Sequence, residues 1–249
     1  MIILKTAKEL TAMQEAGKIS AGALVEAGKA IHPGMSTKEL DDVMHRYILS
    51  QGAKPSFLGY GGFPGCACIS INDEVIHGIP SKDRKIQEGD IVSVDVGAYY
   101  NGYHGDNAYT FAVGEVSEEA KQLLRVTEES LYEAIKMARP GNRLGDVSHA
   151  VQAHVEPYGY GIVKKYVGHG VGRDLHESPD VPNYGMPGRG PRLAAGMVIA
   201  IEPMINLKGE DVKTLPDGWT VKTVSKSLSA HFEHTVAITA DGPKILTLA

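Results

Sequence analysis

Apolar residues recur at the spacing of an α-helix in two long stretches of the chain, and each stretch is followed by a Pro-Gly pair. A second helix is predicted after each pair. Ser36 and Glu39 form a Ser-x-x-Glu capping box at the start of the first of these. The four predicted helices span residues 7–31, 37–50, 117–138 and 143–156.

Further runs are apolar, rich in β-branched residues and short enough to be strands. Asn101 and Gly102 separate two of them, and Asn-Gly between two such runs is the strongest short signal for a β-hairpin. Helices combined with antiparallel strands indicate an α/β fold. The six predicted strands span residues 66–72, 91–99, 103–113, 162–168, 197–206 and 230–238.

The order of a helix, a Pro-Gly pair, a second helix and strands occurs twice along the chain. A shift of 107 positions places Pro33 on Pro140 and Asp95 on Glu202 (202 minus 95). Several matches at one offset indicate an internal duplication and a pseudo-two-fold axis between the halves. The alternative is that every helix–turn–strand joint uses Pro-Gly and Gly. We expect a single domain over residues 1–249, with repeats of about 1–113 and 114–249.

Composition narrows the class of protein. The 249 residues are 43% hydrophobic and 22% charged, which is typical of a globular chain. A net charge of −5 argues against a general binder of nucleic acid or anionic membranes. The apolar run before Lys5 is too short for a signal peptide, and no run approaches the ~18 apolar residues of a membrane span. We expect a cytoplasmic protein that binds neither membrane nor nucleic acid.

The predicted hairpin brings two acids together. A two-residue turn at Asn101-Gly102 pairs Asp95 with Ala108 and Asp106 with Gly97. Asp95 and Asp106 then lie diagonally on one face, with backbones roughly 7–8 Å apart. Gly97 is expected to leave the space beside Asp106 open, so that both carboxylates could reach one metal ion or bridge two.

The surroundings of the acids favour a metal site over surface carboxylates. Asp95 lies in the apolar run 91–96, and Glu202 and Glu233 lie in apolar runs of the second half. An unpaired buried carboxylate costs several kcal/mol, so burial requires a cation or a proton. Asp106 matches Glu233 at a shift of 127, which completes two acids per half. We predict that the four acids converge at the pseudo-axis.

Imidazoles would complete such a site. His169 lies between glycines that let the backbone approach closely, and its G-x-G-x-G string is not a phosphate-binding loop. Oxygen ligands favour manganese or iron, and histidine admits cobalt, nickel or zinc. Cys66 and Cys68 are too close in sequence for an ordinary disulfide and are interpreted as core or pocket wall. The candidate imidazoles are His77, His104, His169, His176, His231 and His234.

The ordered set of candidate ligands, with YVGHGVG around the histidine and AIEPM around Glu202, resembles the methionine aminopeptidases, most closely the bacterial type I enzymes. The resemblance runs along essentially the whole chain and implies the pita-bread fold and two divalent metal ions. It implies that Asp95 chelates one ion, Asp106 and Glu233 bridge both, and His169 and Glu202 bind the other. The implied ligands are Asp95, Asp106, His169, Glu202 and Glu233.

The implied reaction is removal of the initiator methionine from nascent proteins whose second residue is small and uncharged. A hydroxide bridging the two ions would attack the first peptide bond, with Glu202 as general base. His77 and His176 match the family's substrate-contacting, catalytic histidines. Residues at positions that vary in the family leave the fine specificity open; they are Phe57, Gly61 and Leu175. The implied methionine pocket consists of Tyr60, Phe63, Cys68 and Trp219.

Two alternative functions predict different sequence features. Prolidases and aminopeptidases P share the ligand set but carry an extra N-terminal domain, for which a first ligand at Asp95 leaves no space. A non-catalytic peptide-binding relative would usually have lost ligands, and all five are present here. We further expect a monomer that meets its substrates, the N-terminal methionines of nascent chains, in transient proximity to the ribosome.

Overall fold

The protein is described by a computed structural model that includes every residue from Met1 to Ala249. It has four α-helices and fifteen β-strands, arranged in three sheets. The helices are α1 (Ala7–Ala30), α2 (Thr37–Ser50), α3 (Glu118–Met137) and α4 (Leu144–Val155). The strands are β1 (Lys54–Pro55), β2 (Ala67–Ile71), β3 (Glu74–Ile76), β4 (Ile91–Tyr100), β5 (Tyr103–Ala112), β6 (Gly161–Ile162), β7 (Gly168–Gly170), β8 (Glu177–Val181), β9 (Val198–Ile201), β10 (Met204–Asn206), β11 (Val212–Thr214), β12 (Val221–Thr223), β13 (Ser229–His231), β14 (Glu233–Thr239) and β15 (Gly242–Ile245).

The four predicted helices are confirmed to within two residues at each end. The capping box of α2 is formed as predicted: the Glu39 N–H donates to the Ser36 hydroxyl at 3.2 Å, and the Ser36 N–H donates to the Glu39 carboxylate at 2.7 Å. Thr6 and Glu9 form the same reciprocal cap at the start of α1. Both caps satisfy donors that a helix terminus would otherwise leave unpaired.

The largest sheet separates the helices from the site. Its nine strands follow the order β1-β4-β5-β14-β9-β7-β8, with β2 also on β4 and β15 also on β14. Val94 and Val96 of β4 pack into a buried cluster with residues of α1 and α2. Ile199 and Ile201 of β9 pack with residues of α3 and α4. Strand alternation therefore leaves the opposite, inner face of these strands free for polar side chains.

Two predicted strands of the second half are interrupted, so their continuity was wrongly predicted. The run 197–206 divides into β9 and β10 at Glu202 and Pro203, and the run 230–238 divides into β13 and β14. The pairing register nevertheless continues across the gap, because Ile201 faces His234 on one side and Met204 faces His231 on the other. Pro203 lacks the N–H that a strand ladder needs, which accounts for the interruption.

The remaining strands are short. The predicted strand 162–168 is wrong as a single element, since only its ends form β6 and β7. β6 joins β10 and β13 in a three-stranded sheet, and β3, β11 and β12 form another. None of the helices combines the length and apolar character that crossing a bilayer requires. Six short strands were not predicted from the pattern of apolar residues: β1, β3, β8, β11, β12 and β15.

Candidate metal centre and substrate pocket

Strand register brings the four acids onto the inner face of the large sheet. Asp95 faces Ala108 across the β4–β5 hairpin, as predicted, and Ala108 faces Glu233 of β14. Continuing the β9–β14 register by one position places Glu202 opposite Glu233. Asp106 faces Gly97, diagonally from Asp95. The two halves thus each contribute two carboxylates to one patch.

His169 completes the cluster from β7. Its Nε2 lies 3.7 Å from Asp106 Oδ2 and 3.7 Å from Glu202 Oε1. The ring Nδ1 donates to the Gly170 carbonyl at 2.9 Å, which leaves Nε2 as the unprotonated nitrogen that faces the acids. A Cβ on Gly168 would collide with the Ala200 carbonyl, so this glycine is needed because the strands pack closely.

Burial sets the protonation of the cluster. It raises the pKa of Asp106 to about 7, and burial with neighbouring carboxylates raises the pKa values of Asp95, Glu202 and Glu233 well above their usual range. The pKa of His169 falls to about 3, mainly because burial disfavours the charged ring. Neutral imidazole is the form that ligates metal ions.

The donors fit a divalent cation. Asp95 Oδ1, Asp106 Oδ1 and Glu233 Oε1 are buried without a hydrogen-bond partner, and no lysine or arginine lines the cavity. Atoms of Asp106, His169 and Glu233 lie within 4.8 Å of one another. Unpartnered buried carboxylate oxygens are costly, and a cation is the group that this set of donors lacks.

The acids form one end of a cavity of about 160 Å³ whose other wall is apolar. Phe63 packs edge-on against Trp219 with ring centroids 5.2 Å apart, and both are shielded from solvent more than Tyr60, which is 47% exposed at the rim. The structure places all four residues of the predicted methionine pocket here. Phe57 and Leu175, at positions that vary in the family, complete this wall. The apolar wall consists of Phe57, Tyr60, Phe63, Cys68, Leu175 and Trp219.

Two further imidazoles line the same cavity. The ring of His176 lies 4.0 Å from that of His169, and its Nδ1 is 2.9 Å from the Tyr60 hydroxyl. His77 stands edge-on to Trp219 at 6.2 Å, and burial lowers its pKa to about 4. Burial also lowers the pKa of His176. Both rings are therefore neutral and able to hydrogen-bond a peptide near neutral pH.

The other three candidate imidazoles lie outside the cavity lining. His104 Nδ1 bonds the Ser56 hydroxyl at 2.8 Å, and His234 Nδ1 bonds the Thr247 hydroxyl at 2.9 Å. His231 is buried behind Glu202, with Nε2 3.7 Å from Glu202 Oε2. Only His169 of the six contacts the acids from within the cavity.

Two features of the site were missed or wrongly predicted. The space beside Gly97 is not open, because a Cβ there would lie 2.7 Å from Ser56 Cβ and 2.9 Å from Phe57 Cε1. Gly97 instead lets the loop that carries Phe57 reach the cavity. Asn183 was not predicted: it is buried and its Nδ2 donates to the Glu202 carbonyl at 2.9 Å. No local motif marks Asn183, since its role depends on a contact with a distant strand.

Comparison with known proteins agrees with this geometry. A model of metallopeptidase family M24 matches residues 11–240. Methionine aminopeptidase 1 of Bacillus subtilis is 56% identical over 247 residues, which cover 99% of each chain. The crystal structure of methionine aminopeptidase from Thermotoga maritima matches with a TM-score of 0.98 at 50% identity and covers 100% of both chains.

A more distant match bears on the alternative function. The prolidase from Pyrococcus furiosus matches with a TM-score of 0.80 at 29% identity, and the alignment covers 99% of this chain but 66% of the prolidase. The shared architecture confirms the pita-bread fold that the resemblance implied. The family match over most of the chain also implies use of divalent metal. The chain belongs to metallopeptidase family M24.

Proposed function

We propose that this chain is a methionine aminopeptidase that removes N-terminal methionine from peptides whose second residue is small and uncharged. The observation that carries the proposal is one cavity with carboxylates and an imidazole at one end and an apolar wall at the other. The relatives that match along their whole length carry this activity in their names.

The cofactor in this proposal is a pair of divalent cations. Asp95 would hold one cation, His169 and Glu202 would hold the other, and Asp106 and Glu233 would contact both. When bound, such cations act as Lewis acids that lower the pKa of water and polarise a carbonyl group. The donor chemistry supports manganese, iron, cobalt, nickel or zinc as candidates.

The protein's own side chains manage protons and orientation. Glu202 takes a proton from the attacking water and returns it to the departing amine. His176 engages Tyr60 through Nδ1, so its Nε2 is available to the oxygen of the scissile carbonyl. His77 contacts the substrate backbone or the departing amine. The methionine side chain occupies the apolar wall that Phe63 and Trp219 shape.

The alternatives are less well supported. A prolidase-like hydrolase would share the acid cluster, but the methionine aminopeptidase of Bacillus subtilis is more similar in sequence to this chain than the prolidase is. A non-catalytic peptide-binding protein would not need four acids and a neutral imidazole converging in a cavity. We further propose a single duplicated domain, a monomeric state, a cytoplasmic location and access to nascent chains near the ribosome.

The test is release of free methionine from Met-Ala-Ser. Ala-Ala-Ser and a series of Xaa-Pro peptides serve as comparisons, with metal-free protein repleted separately with each candidate metal. Metal-dependent release from Met-Ala-Ser alone is the expected result. Cleavage of Xaa-Pro peptides instead would establish the prolidase alternative, and no cleavage with any metal would favour the binding protein. Equal turnover of Met-Leu-Ser would contradict the restriction to small second residues.

A further inference from the structure

His231 has no hydrogen-bond partner although it is almost completely buried. Its relative exposure is 1%, and neither Nδ1 nor Nε2 is within bonding distance of any protein group. Buried polar side chains nearly always have a partner, and a neutral imidazole has one N–H to donate and one nitrogen to accept. An unsatisfied buried imidazole beside a metal cluster therefore indicates a function that needs the ring.

The geometry around Glu202 identifies the group that His231 serves. His169 Nε2 lies 3.7 Å from Oε1 of the carboxylate, and His231 Nε2 lies 3.7 Å from Oε2. An imidazole thus flanks each oxygen of Glu202. Phe232 lies between His231 and Glu233 and packs into the cluster that contains residues of α3 and α4, so the side chains on either side of it face the acids instead.

The known contacts of Glu202 hold its backbone and not its carboxylate. Pro203 interrupts the ladder, and Asn183 holds the Glu202 carbonyl in place of a strand partner. Neither contact fixes the carboxylate itself. Glu202 therefore needs a side-chain partner that determines which of its oxygens turns toward His169.

We propose that His231 is a positioning residue that donates its Nε2–H to Glu202 Oε2 and so directs Oε1 toward the cation. This inference rests on the proposed function only in assigning Glu202 to the metal centre. A hydrogen bond of about 2.9 Å requires the two side chains to approach by less than an ångström. Outer contacts of this kind orient metal-ligating carboxylates, and their loss typically weakens metal affinity about 10–100-fold.

The test compares two substitutions in the full chain. His231→Gln keeps a side-chain N–H donor, and His231→Leu removes it and keeps an apolar fill; His231→Met is the second apolar variant should the leucine variant not fold. Metal-free protein is titrated calorimetrically with Mn²⁺, and the visible absorption of the Co²⁺-loaded protein reports the ligands in contact with the ion. Thermal unfolding of each metal-free variant checks that the fold is intact.

We expect the apolar variants to bind Mn²⁺ about 10–100-fold more weakly than the wild type. The glutamine variant should have an Mn²⁺ affinity close to that of the wild type. The Co²⁺ spectrum should be unchanged in the glutamine variant, because no direct ligand is lost. Unchanged affinity in a folded apolar variant would overturn the proposal. A Co²⁺ spectrum altered in both the glutamine and the apolar variants would overturn it too, since it would make His231 a direct ligand. Wild-type protein that binds no cation would refute the proposed function as well, and that result is seen before any variant is compared.

Discussion

The two strand pairs that carry the acids are built differently. In the first half, β4 and β5 form an unbroken ladder from Ile91–Ala112 to Tyr100–Tyr103, and its two acids lie diagonally. In the second half, the ladder is interrupted at Pro203, and register places its two acids opposite each other. An unbroken backbone ladder thus positions the first pair, with the Thr235 hydroxyl bonding the backbone N–H and carbonyl of Asp106. The second pair lies at a break in its ladder, where Asn183 bonds the Glu202 carbonyl.

This difference explains how two dissimilar ladders make one site. The diagonal pair brings Asp106 to His169 Nε2, and the facing pair brings Glu202 to the same nitrogen. An unbroken ladder in the second half would have required an N–H at Pro203. The Glu202 carbonyl, which faces away from β14, is bonded by Asn183, and the Glu202 carboxylate lines the cavity.

The largest expected effect comes from removing one acid of either half. Asp106→Asn and Glu233→Gln should each reduce turnover more than about 100-fold, since losing a direct ligand exceeds the 10–100-fold cost of losing an outer contact. Peptide turnover and metal content after repletion are the measurements. Asp42→Asn, which changes a half-buried acid paired with Lys38 outside the cavity, is the matched control and should leave both unchanged. Full activity in either acid variant would show that one half suffices.

The next largest effect separates substrate contacts from metal ligands. His77→Ala and His176→Ala should lower turnover, by about 100-fold or more for His176 if it stabilises the carbonyl oxygen. Metal content, measured by elemental analysis, should stay near the wild-type value, because neither ring touches the acids of the cluster. A variant that loses metal would have to be reassigned as a ligand.

A smaller effect tests the side-chain support of the second ladder. Asn183→Ala removes the side-chain donor from the partly buried Glu202 carbonyl, so the free energy of unfolding should fall by about 1–3 kcal/mol. Denaturant unfolding measures this change. Asn101→Gly, at the exposed turn of the first ladder, is the comparison and should cost less, because glycine tolerates the positive φ of 49° and the ladder beside the turn is continuous. Equal losses of unfolding free energy in the two variants would contradict the proposed difference between the continuous and the interrupted ladder.

The smallest effect concerns pH. Metal-free protein keeps Asp106 protonated up to a pKa of about 7, above the usual 3.8, so the stability from this neutral carboxyl is lost as pH rises between those values. Cation binding needs the ionised form and therefore strengthens with pH. The stabilisation by Mn²⁺, calculated from the shift in melting temperature, should be larger at pH 7.5 than at pH 5.5, by up to about 1.4 kcal/mol for each pH unit below the Asp106 pKa of about 7. A constant stabilisation would contradict ionisation on binding.

Much of this architecture could be predicted because its signals are local. The capping box at Ser36 and the turn at Asn101-Gly102 lie within a few residues of what they determine, and the turn fixed the partner of Asp95. Pro203 was a visible signal of the interrupted strand, since proline is rare inside a ladder. It was outweighed by the apolar residues on both sides.

The remaining features depend on contacts between distant segments. From the sequence, Gly97 was expected to leave open space. That space is filled by Ser56 and Phe57, some forty residues earlier in the chain (97 minus 57). Asn183 acquires its role only when its loop meets the Glu202 carbonyl. Such contacts follow from tertiary packing and have no periodicity or motif of their own.

The central claim is that acids from two differently built ladders hold one metal centre. Anomalous diffraction at the manganese edge, from crystals repleted with Mn²⁺, tests it most directly. The account predicts peaks on the inner face of the sheet, coordinated jointly by Asp95 or Asp106 from the first half and Glu202 or Glu233 from the second. Peaks coordinated by one half alone, or peaks elsewhere on the molecule, would contradict it.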